Sequence, residues 1–246
     1  LLLVQLAAVL ALSLWRQAPP TPLPADAPPE RFSAVRVRAV AERLSAGLGP
    51  HPFGSPDNAR LRKRLLAELR ALGFAPPALL VQSRTGCSRR GRCALVANVL
   101  AGLPGRAGPP GEAPTVLVAA HYDSVSAGPG ASDDLSGVAA LLETARALRA
   151  GAAPHNPVLF AFTDAEEAGL LGAKLLLAEP APGPAAAMTG QSAVLVIDTD
   201  LVMEQDQTCK DVRLGDLLMS LDDMIEMTRP IRTGIEAVEI RCMVAG

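Results

Sequence analysis

Three short runs of apolar residues constrain the fold of this 246-residue chain more than any other feature. They lie at 115–120, 158–162 and 193–197, and helical patterns at 135–150 and 168–178 separate them. A strand that is apolar throughout is typical of a sheet covered on both faces. Because such strands alternate with helices, we expect a three-layer α/β/α sandwich around a mostly parallel central sheet.

Four further patterns precede these runs. They are amphipathic helices at 32–48 and 58–73 and strand-like runs at 79–82 and 95–100. A stretch rich in Gly and Pro at 103–114 is typical of a surface loop. The length suits one main α/β domain, which we place at 31–200, followed by a separate segment at 201–246 with a helical pattern at 214–227.

The chain begins with an apolar segment at 1–16 that ends at Arg16. It is shorter than the roughly 20 residues that span a bilayer, so it is either part of a transmembrane anchor or the core of a signal segment. No small-x-small cleavage pattern follows, which favours the anchor. Six prolines at 17–30 predict an extended linker. We therefore expect the domain to be membrane-anchored on the non-cytosolic side, in the endoplasmic reticulum or vacuole lumen, the periplasm or outside the cell.

The net charge argues against one class of function. At a formal value of -2 the chain lacks the basic excess that nucleic-acid binding requires. We expect no nucleic-acid partner.

Cys87 and Cys93 enclose a short basic loop. In a non-cytosolic compartment they either form a disulfide or remain free thiols, and the sequence leaves both open. A structural zinc site is disfavoured, because no second Cys or His pair lies nearby.

Ionisable residues follow each of the three apolar runs. They are His121 and Asp123 after the first, Glu166 and Glu167 after the second, and Asp198 after the third. Asp133 and Asp134 lie in the loop before the helix at 135–150. Because sites in open α/β sheets form beyond the carboxyl ends of the strands, we expect these side chains to meet at one edge.

One imidazole among several carboxylates indicates a metal site. Like charges at close range resist ionisation, and one or two divalent cations remove that repulsion. Imidazole with carboxylate suits zinc. Asp123 is placed to accept the proton of the His121 nitrogen that does not bind metal. Glu166 and Glu167 point different ways, so one can bind metal while the other exchanges a proton with water.

Each group also has an interpretation without chemistry. His121 can be an ordinary residue at a strand end, Asp133 or Asp134 a helix cap, and Glu166 and Glu167 a first helical turn favoured by the helix dipole. Their joint occurrence on successive strand ends favours a functional site.

With these residues in view, the sequence resembles the M28 family of metallopeptidases, the aminopeptidase Y type. It looks most like the membrane-anchored endoplasmic-reticulum or vacuolar branch. The resemblance covers about 34–198, and its motifs are the segments 51–56, 121–125, 130–137 and 163–172. It implies a zinc-exopeptidase fold and an aminopeptidase that acts on peptides with a free N-terminus by means of two zinc ions.

The resemblance also implies a role for each site residue. His121 binds one zinc, Asp133 bridges both, Glu167 binds the second zinc and Asp198 completes the first. Glu166 acts as general base and Asp123 orients His121. Asp133 is preferred to Asp134 as the bridge because it lies four residues before Gly137.

The chain departs from the family in one respect. The family's second zinc has a further His ligand downstream, whereas no His follows His155 here. The missing His supports one alternative, a catalytically impaired pseudoenzyme or interaction domain. A glutaminyl-cyclase-like acyltransferase, which shares the scaffold with a single zinc, is the other alternative. The pair Ser136-Gly137 and the two-metal residue set favour the peptidase.

Overall fold

The computed structural model describes residues 2–16, 21–110, 112–113, 115–178 and 192–196. Five helices and five strands lie in this described part. In chain order they are α1 (Leu2–Arg16), α2 (Ala34–Ser45), α3 (Pro56–Ala71), β1 (Leu79–Cys87), β2 (Cys93–Leu103), β3 (Thr115–His121), α4 (Leu135–Ala150), β4 (Val158–Thr163), α5 (Leu171–Ala178) and β5 (Ser192–Val196). The predicted segment 201–246 and its helix at 214–227 lie outside the described residues.

The strands form one sheet in the order β1-β2-β4-β3-β5. β3 pairs in parallel with β4 and β5, whereas β2 pairs antiparallel with β1 and β4. Among the described strands, β2 therefore runs opposite to the other four. The carboxyl ends of β1, β3, β4 and β5 lie at one edge of the sheet, which we call the carboxyl edge, together with the start of β2.

Helices cover both faces of this sheet, which confirms the predicted three-layer α/β fold. On one face α2, α3 and α4 bury a continuous core in which Leu61, Leu65 and Leu69 of α3 are fully buried. On the other face Leu176 of α5 packs against strand residues such as Leu100 and Leu159. The central strands β3 and β4 are buried along their whole length, as their apolar sequences predict.

Side-chain caps begin α2 and α3. The hydroxyl of Ser33 accepts the Arg36 N–H at 3.3 Å, and that of Ser55 accepts the Asn58 N–H at 3.1 Å. Pro56 occupies the first turn of α3, where its missing N–H costs no hydrogen bond. The helix predicted at 58–73 therefore begins two residues earlier.

Two other boundaries differ from the predictions. The helix predicted at 168–178 begins at Leu171, because Ala165 and Leu170 have φ of 58° and 60° and residues 165–170 form a turn. β1 and β2 extend to a disulfide between Cys87 and Cys93, with an S–S distance of 2.00 Å, which decides between the two thiol states. The polar residues 83–87 lack an apolar pattern, since they form an exposed edge strand that pairs only with β2 among the described strands.

The N-terminal segment is described in part. No helix in the described ranges combines the length and the apolar character that a membrane span needs. Arg36 of α2 donates to the carbonyls of Ala25 and Ala27 at 2.8 and 3.0 Å, and Arg146 of α4 donates to that of Arg31 at 2.9 Å. The described part of the predicted linker is therefore held against the domain and does not extend away from it.

Candidate active site

His121 ends β3 at the carboxyl edge and is buried. Its Nε2 lies 3.0 Å from Asp133 Oδ1. Its Nδ1 lies 3.0 Å from the backbone carbonyl oxygen of Asp123 and 3.5 Å from that residue's Oδ1. Of these two atoms of Asp123, the carbonyl oxygen is closer to Nδ1 than the carboxylate oxygen that the sequence predicts as its acceptor.

The two adjacent aspartates before α4 have different surroundings. Asp134 is buried and caps α4, since its Oδ1 accepts the Gly137 N–H and its Oδ2 accepts the His121 N–H, both at 3.2 Å. A Cβ at position 137 would overlap the Asp134 carboxylate, so this cap requires glycine. Asp133 is 35% exposed and faces the His121 ring. The interpretation as a helix cap is right for Asp134, and Asp133 remains available as a ligand.

Asp123 connects the ends of β3 and β4. Its side chain is fully buried, and its Oδ1 accepts the Glu166 N–H at 2.9 Å. Within the described part of the chain, its Oδ2 has no hydrogen-bond partner. Asp123 therefore holds the backbone of Glu166 beside His121 and retains one buried carboxylate oxygen with unused acceptor capacity.

Glu166 and Glu167 lie in the turn between β4 and α5, and both are half-buried. The Glu166 carbonyl accepts the N–H groups of Gly169 and Leu170 at 2.8 Å, which closes the turn. Because α5 begins only at Leu171, the interpretation of this pair as a first helical turn is wrong.

Asp164 accepts a hydrogen bond from the backbone at the start of this turn, and the sequence predicted no role for it. It is fully buried, and its carboxylate accepts three hydrogen bonds, from Asn58 Nδ2 at 2.9 Å, the Ala165 N–H at 2.9 Å and the Ala97 N–H at 3.0 Å. The pKa of Asp164 is raised to about 6, because burial and, to a lesser extent, the nearby Asp123 charge raise it more than its hydrogen bonds lower it. No local pattern marks this residue, because its partners come from α3 and β2.

Tyr122 and Asp164 share a buried polar network. The Tyr122 hydroxyl donates to the Ala97 carbonyl at 2.6 Å, and burial, together with the Asp164 charge, raises its pKa well above the usual value. The network joins the middle of β2 to the ends of β3 and β4, so hydrogen bonds hold the backbone of the site across three strands.

The other two histidines lie in different places. The His51 N–H donates to Ser124 Oγ at 2.8 Å, which places the segment 51–56 against the residues that follow His121. His155 lies before β4 and therefore at the opposite edge of the sheet. Asp198 lies outside the described residues.

The donor atoms of this cluster suit zinc. Nitrogen and oxygen ligands at about 2.0–2.2 Å from one zinc ion can be separated by the distance seen between His121 Nε2 and Asp133 Oδ1. Asp123 and Asp133 form no ion pair with Lys or Arg in the described ranges, so no fixed cation competes for them. No three His, Cys, Asp or Glu side chains among the described residues gather into a metal site. The imidazole of His121 and the carboxylate of Asp133 are suitable as two ligands of one zinc ion.

Residues 98–217 match the model of Peptidase family M28. The matched range contains all the candidate residues from His121 to Asp198 and begins in β2.

Curated relatives match shorter segments. The probable lipoprotein aminopeptidase LpqL of Mycobacterium tuberculosis is 54% identical over 61 residues, which are 24% of this chain and 12% of that protein. The vacuolar membrane protease of Clavispora lusitaniae is 43% identical over 67 residues, which are 27% of this chain and 6% of that protein. The chain therefore spans only a small part of the length of the curated relatives that it matches.

Solved structures share the fold over a longer range. A glutaminyl cyclase of Porphyromonas gingivalis is 25% identical with a TM-score of 0.54, over 68% of this chain and 59% of that chain. A Zn-dependent exopeptidase of Parabacteroides distasonis is 21% identical with a TM-score of 0.55, over 68% and 61%. The zinc-exopeptidase fold expected from the sequence is thereby confirmed, and cyclases and exopeptidases both adopt it.

Proposed function

We propose that this chain is a zinc-dependent aminopeptidase that hydrolyses the first peptide bond of substrates with a free N-terminus. The observation that carries the proposal is the pairing of His121 with Asp133 at the carboxyl edge, 3.0 Å apart. Buried Asp123 lies behind the pair and binds the backbone of Glu166. The match to Peptidase family M28 and the aminopeptidase relative support the same reaction.

In this proposal four side chains would hold two zinc ions. His121 and Asp198 would bind the first ion, Glu167 would bind the second, and Asp133 would be shared by both. Zinc, when bound, lowers the pKa of a water molecule to around 7 and polarises the carbonyl of the scissile bond.

Glu166 is the proposed general base. It takes a proton from the attacking water and delivers it to the leaving amine, a role that suits a half-buried carboxylate at the mouth of the site. Because Asp123 Oδ1 accepts the Glu166 N–H, the backbone that carries this carboxylate is hydrogen-bonded to the segment that follows His121.

Measurement of zinc content and of leucine p-nitroanilide hydrolysis tests the proposal on the full chain. We expect zinc-dependent release of nitroaniline, and a decrease of roughly a thousandfold in kcat for Glu166→Gln, since general-base catalysis contributes on this scale. The control Glu42→Gln changes an exposed carboxylate on α2 and leaves kcat unchanged. Zinc binding without turnover by the unaltered chain would instead support the interaction-domain alternative.

The likeness to a glutaminyl cyclase defines the second candidate function. A peptide that begins with Gln distinguishes the two reactions by mass spectrometry. An aminopeptidase releases free Gln and the shortened peptide, whereas a cyclase retains every residue and releases ammonia. We expect the shortened peptide.

We also propose that the domain is anchored to a membrane and faces the non-cytosolic side. The Cys87–Cys93 disulfide suits an oxidising compartment. Apolar side chains of α1, such as Leu3 and Leu10, are exposed, and a vacuolar membrane protease is among the relatives. Membrane fractionation with thiol labelling of intact cells tests this placement. A soluble chain with both thiols reduced would contradict it.

A further inference from the structure

The turn between β1 and β2 presents two arginines to solvent. This segment, Ser88–Arg92, is closed by hydrogen bonds from the Ser88 N–H to the Arg92 carbonyl at 2.8 Å and from the Gly91 N–H to the Ser88 carbonyl at 2.9 Å. The Cys87–Cys93 disulfide links the strands at its base. Arg89 and Arg90 occupy the tip, and both are exposed. We call this segment the arginine turn.

The arginine turn rises from the carboxyl edge, the edge that carries the candidate site. β2 pairs antiparallel with β4, and its Ala97 N–H donates to Asp164, two residues before Glu166. The start of β2 and the end of β1 therefore lie beyond the end of β4, on the side where Glu166 and Glu167 are found.

Side-chain packing fixes the arginine turn against the site. The Arg92 guanidinium lies over the Phe53 ring, 5.2 Å from its centroid. Phe53 in turn packs in one hydrophobic cluster with Val96 of β2 and with Ala165, next to Glu166. Because Arg92 is used in this contact, the tip residues Arg89 and Arg90 are the ones presented to a ligand.

The hairpin formed by β1 and β2 is basic, although the whole chain has a small negative net charge. The chain has a formal net charge of -2, yet no Asp or Glu occurs between Glu68 and Glu112, whereas Arg84, Arg89, Arg90 and Arg92 all lie in the hairpin. A positive tip beside a site rich in carboxylates attracts the anionic part of a ligand that extends out of that site.

We propose that the arginine turn binds a carboxylate of the substrate peptide downstream of the scissile bond, and so gives the site a preference for acidic peptides. This inference rests on the aminopeptidase function proposed above. From Ala97 to Cys93 β2 advances four residues, or about 13 Å at roughly 3.3 Å per residue. An extended peptide covers the same distance in about four residues, so the carboxylate lies about three to five residues from the substrate N-terminus.

Hydrolysis of matched tetrapeptides by the full chain tests this inference. The substrates are Leu-Gly-Gly-Glu and Leu-Gly-Gly-Gln, each as the amide and as the free acid, with leucine p-nitroanilide as the reference that has no downstream residues. The free-acid and amide arms separate recognition of the C-terminal carboxylate from recognition of an acidic side chain. The variants are Arg89→Gln/Arg90→Gln, the charge-retaining Arg89→Lys/Arg90→Lys, and Arg38→Gln on α2 as an exposed control.

We expect a KM roughly three- to tenfold lower for the peptides that carry the preferred carboxylate, as one or two exposed ion pairs provide. The double Gln variant abolishes this preference, whereas the double Lys variant and Arg38→Gln retain it. Salt at 0.5 M weakens the preference, because the screening length is then about 4 Å. Leucine p-nitroanilide hydrolysis stays the same in all variants.

Two results would overturn the inference while the proposed function stands. One is hydrolysis of leucine p-nitroanilide with no acidic preference, and the other is a preference that survives in the double Gln variant. In the first case, arginine-dependent sedimentation with phosphatidylserine vesicles would assign the turn to a lipid surface instead. If the reference substrate is not cleaved at all, the proposed function fails and this inference fails with it.

Discussion

The buried carboxylate of Glu143 and the carboxylates of the carboxyl edge have different kinds of partner. Glu143 of α4 is buried, and its Oε1 accepts hydrogen bonds from Arg36 Nε, Arg146 Nη2 and the Ser33 N–H, each at 2.9 Å. Arg146 Nε also binds Glu143 Oε2 at 2.6 Å. At the carboxyl edge Asp123, Asp133 and Asp164 have backbone N–H groups, Asn58 and His121 as partners, and no Lys or Arg forms an ion pair with them in the described ranges.

This difference indicates a structural role for Glu143 and a chemical role for the carboxylates of the carboxyl edge. Two arginines of the chain itself satisfy Glu143, so this carboxylate joins α2, α4 and the residues before α2 and has no capacity for a ligand. The carboxyl edge holds its negative charge with dipoles and one imidazole, which are weaker than a full cation. Under the proposed function, a cation from outside the chain would complete the carboxyl edge, whereas Glu143 already has its cations within the chain.

The largest effect is expected from His121→Ala. Zinc at about a hundred times its dissociation constant stabilises the unaltered chain by about 2.7 kcal/mol and raises its Tm, because only the folded state presents the site. The variant loses this response together with roughly a thousandfold or more of its activity, which thermal unfolding and nitroanilide assays measure. His155→Ala, at the opposite edge, retains both, and an equal zinc response in the two variants would show that the cation binds elsewhere.

Glu143→Gln is expected to lower the free energy of unfolding by roughly 3 kcal/mol, since it leaves two arginines facing a neutral amide. Urea denaturation measures this loss, and the zinc response should persist in the folded variant. A loss of zinc response here, comparable with that of His121→Ala, would break the distinction between the two groups.

A pH dependence is expected from Asp164, whose pKa of about 6 lies above the unfolded value of 3.8. A raised pKa means that the ionised form is penalised on folding, so the stability that the protonated carboxyl contributes is lost as the pH rises through about 6. For the metal-free chain, acidification from pH 7 to pH 5 should therefore add roughly 1 kcal/mol through this group.

Urea titrations at both pH values measure the free energy of unfolding of the unaltered chain and of Asp164→Asn. The contribution of Asp164 is the difference between the two proteins in how much this free energy changes with pH. Asp164→Asn is less stable at either pH, because one of the amide's two terminal atoms cannot accept a hydrogen bond from a backbone N–H. Equal pH slopes in the two proteins would rule out the proposed titration of Asp164.

The smallest effect is expected from Glu42→Gln. This residue pairs with Arg38 at 2.9 Å on the exposed face of α2, and such pairs contribute below about 0.5 kcal/mol. Urea denaturation alongside Glu143→Gln shows how much of the larger effect comes from burial. If Glu42→Gln lowered the free energy of unfolding as much as Glu143→Gln does, burial would not be the reason for the larger effect of Glu143→Gln.

Much of the fold follows from the sequence because its signals are local. The runs that became β3 and β4 are buried on both faces and are apolar throughout, and α3 carries its leucines at helical spacing. Ser33 and Ser55 mark helix starts within one or two residues. Each of these patterns is set by neighbours within a few positions along the chain.

The order of residues along the chain is enough to predict that an imidazole and several carboxylates follow successive strands. Only the tertiary structure decided that Asp134 caps α4 while Asp133 faces His121, because both aspartates satisfy the local pattern of a cap. Only the tertiary structure assigned Asp164 its buried position, since Asn58 and Ala97, which bind its carboxylate, are more than 60 residues away. The register of β1 on β2 and of β2 on β4 places the disulfide-closed arginine turn at the same edge of the sheet as the candidate site. Partners so distant in sequence leave no local pattern, and only the folded chain brings them together.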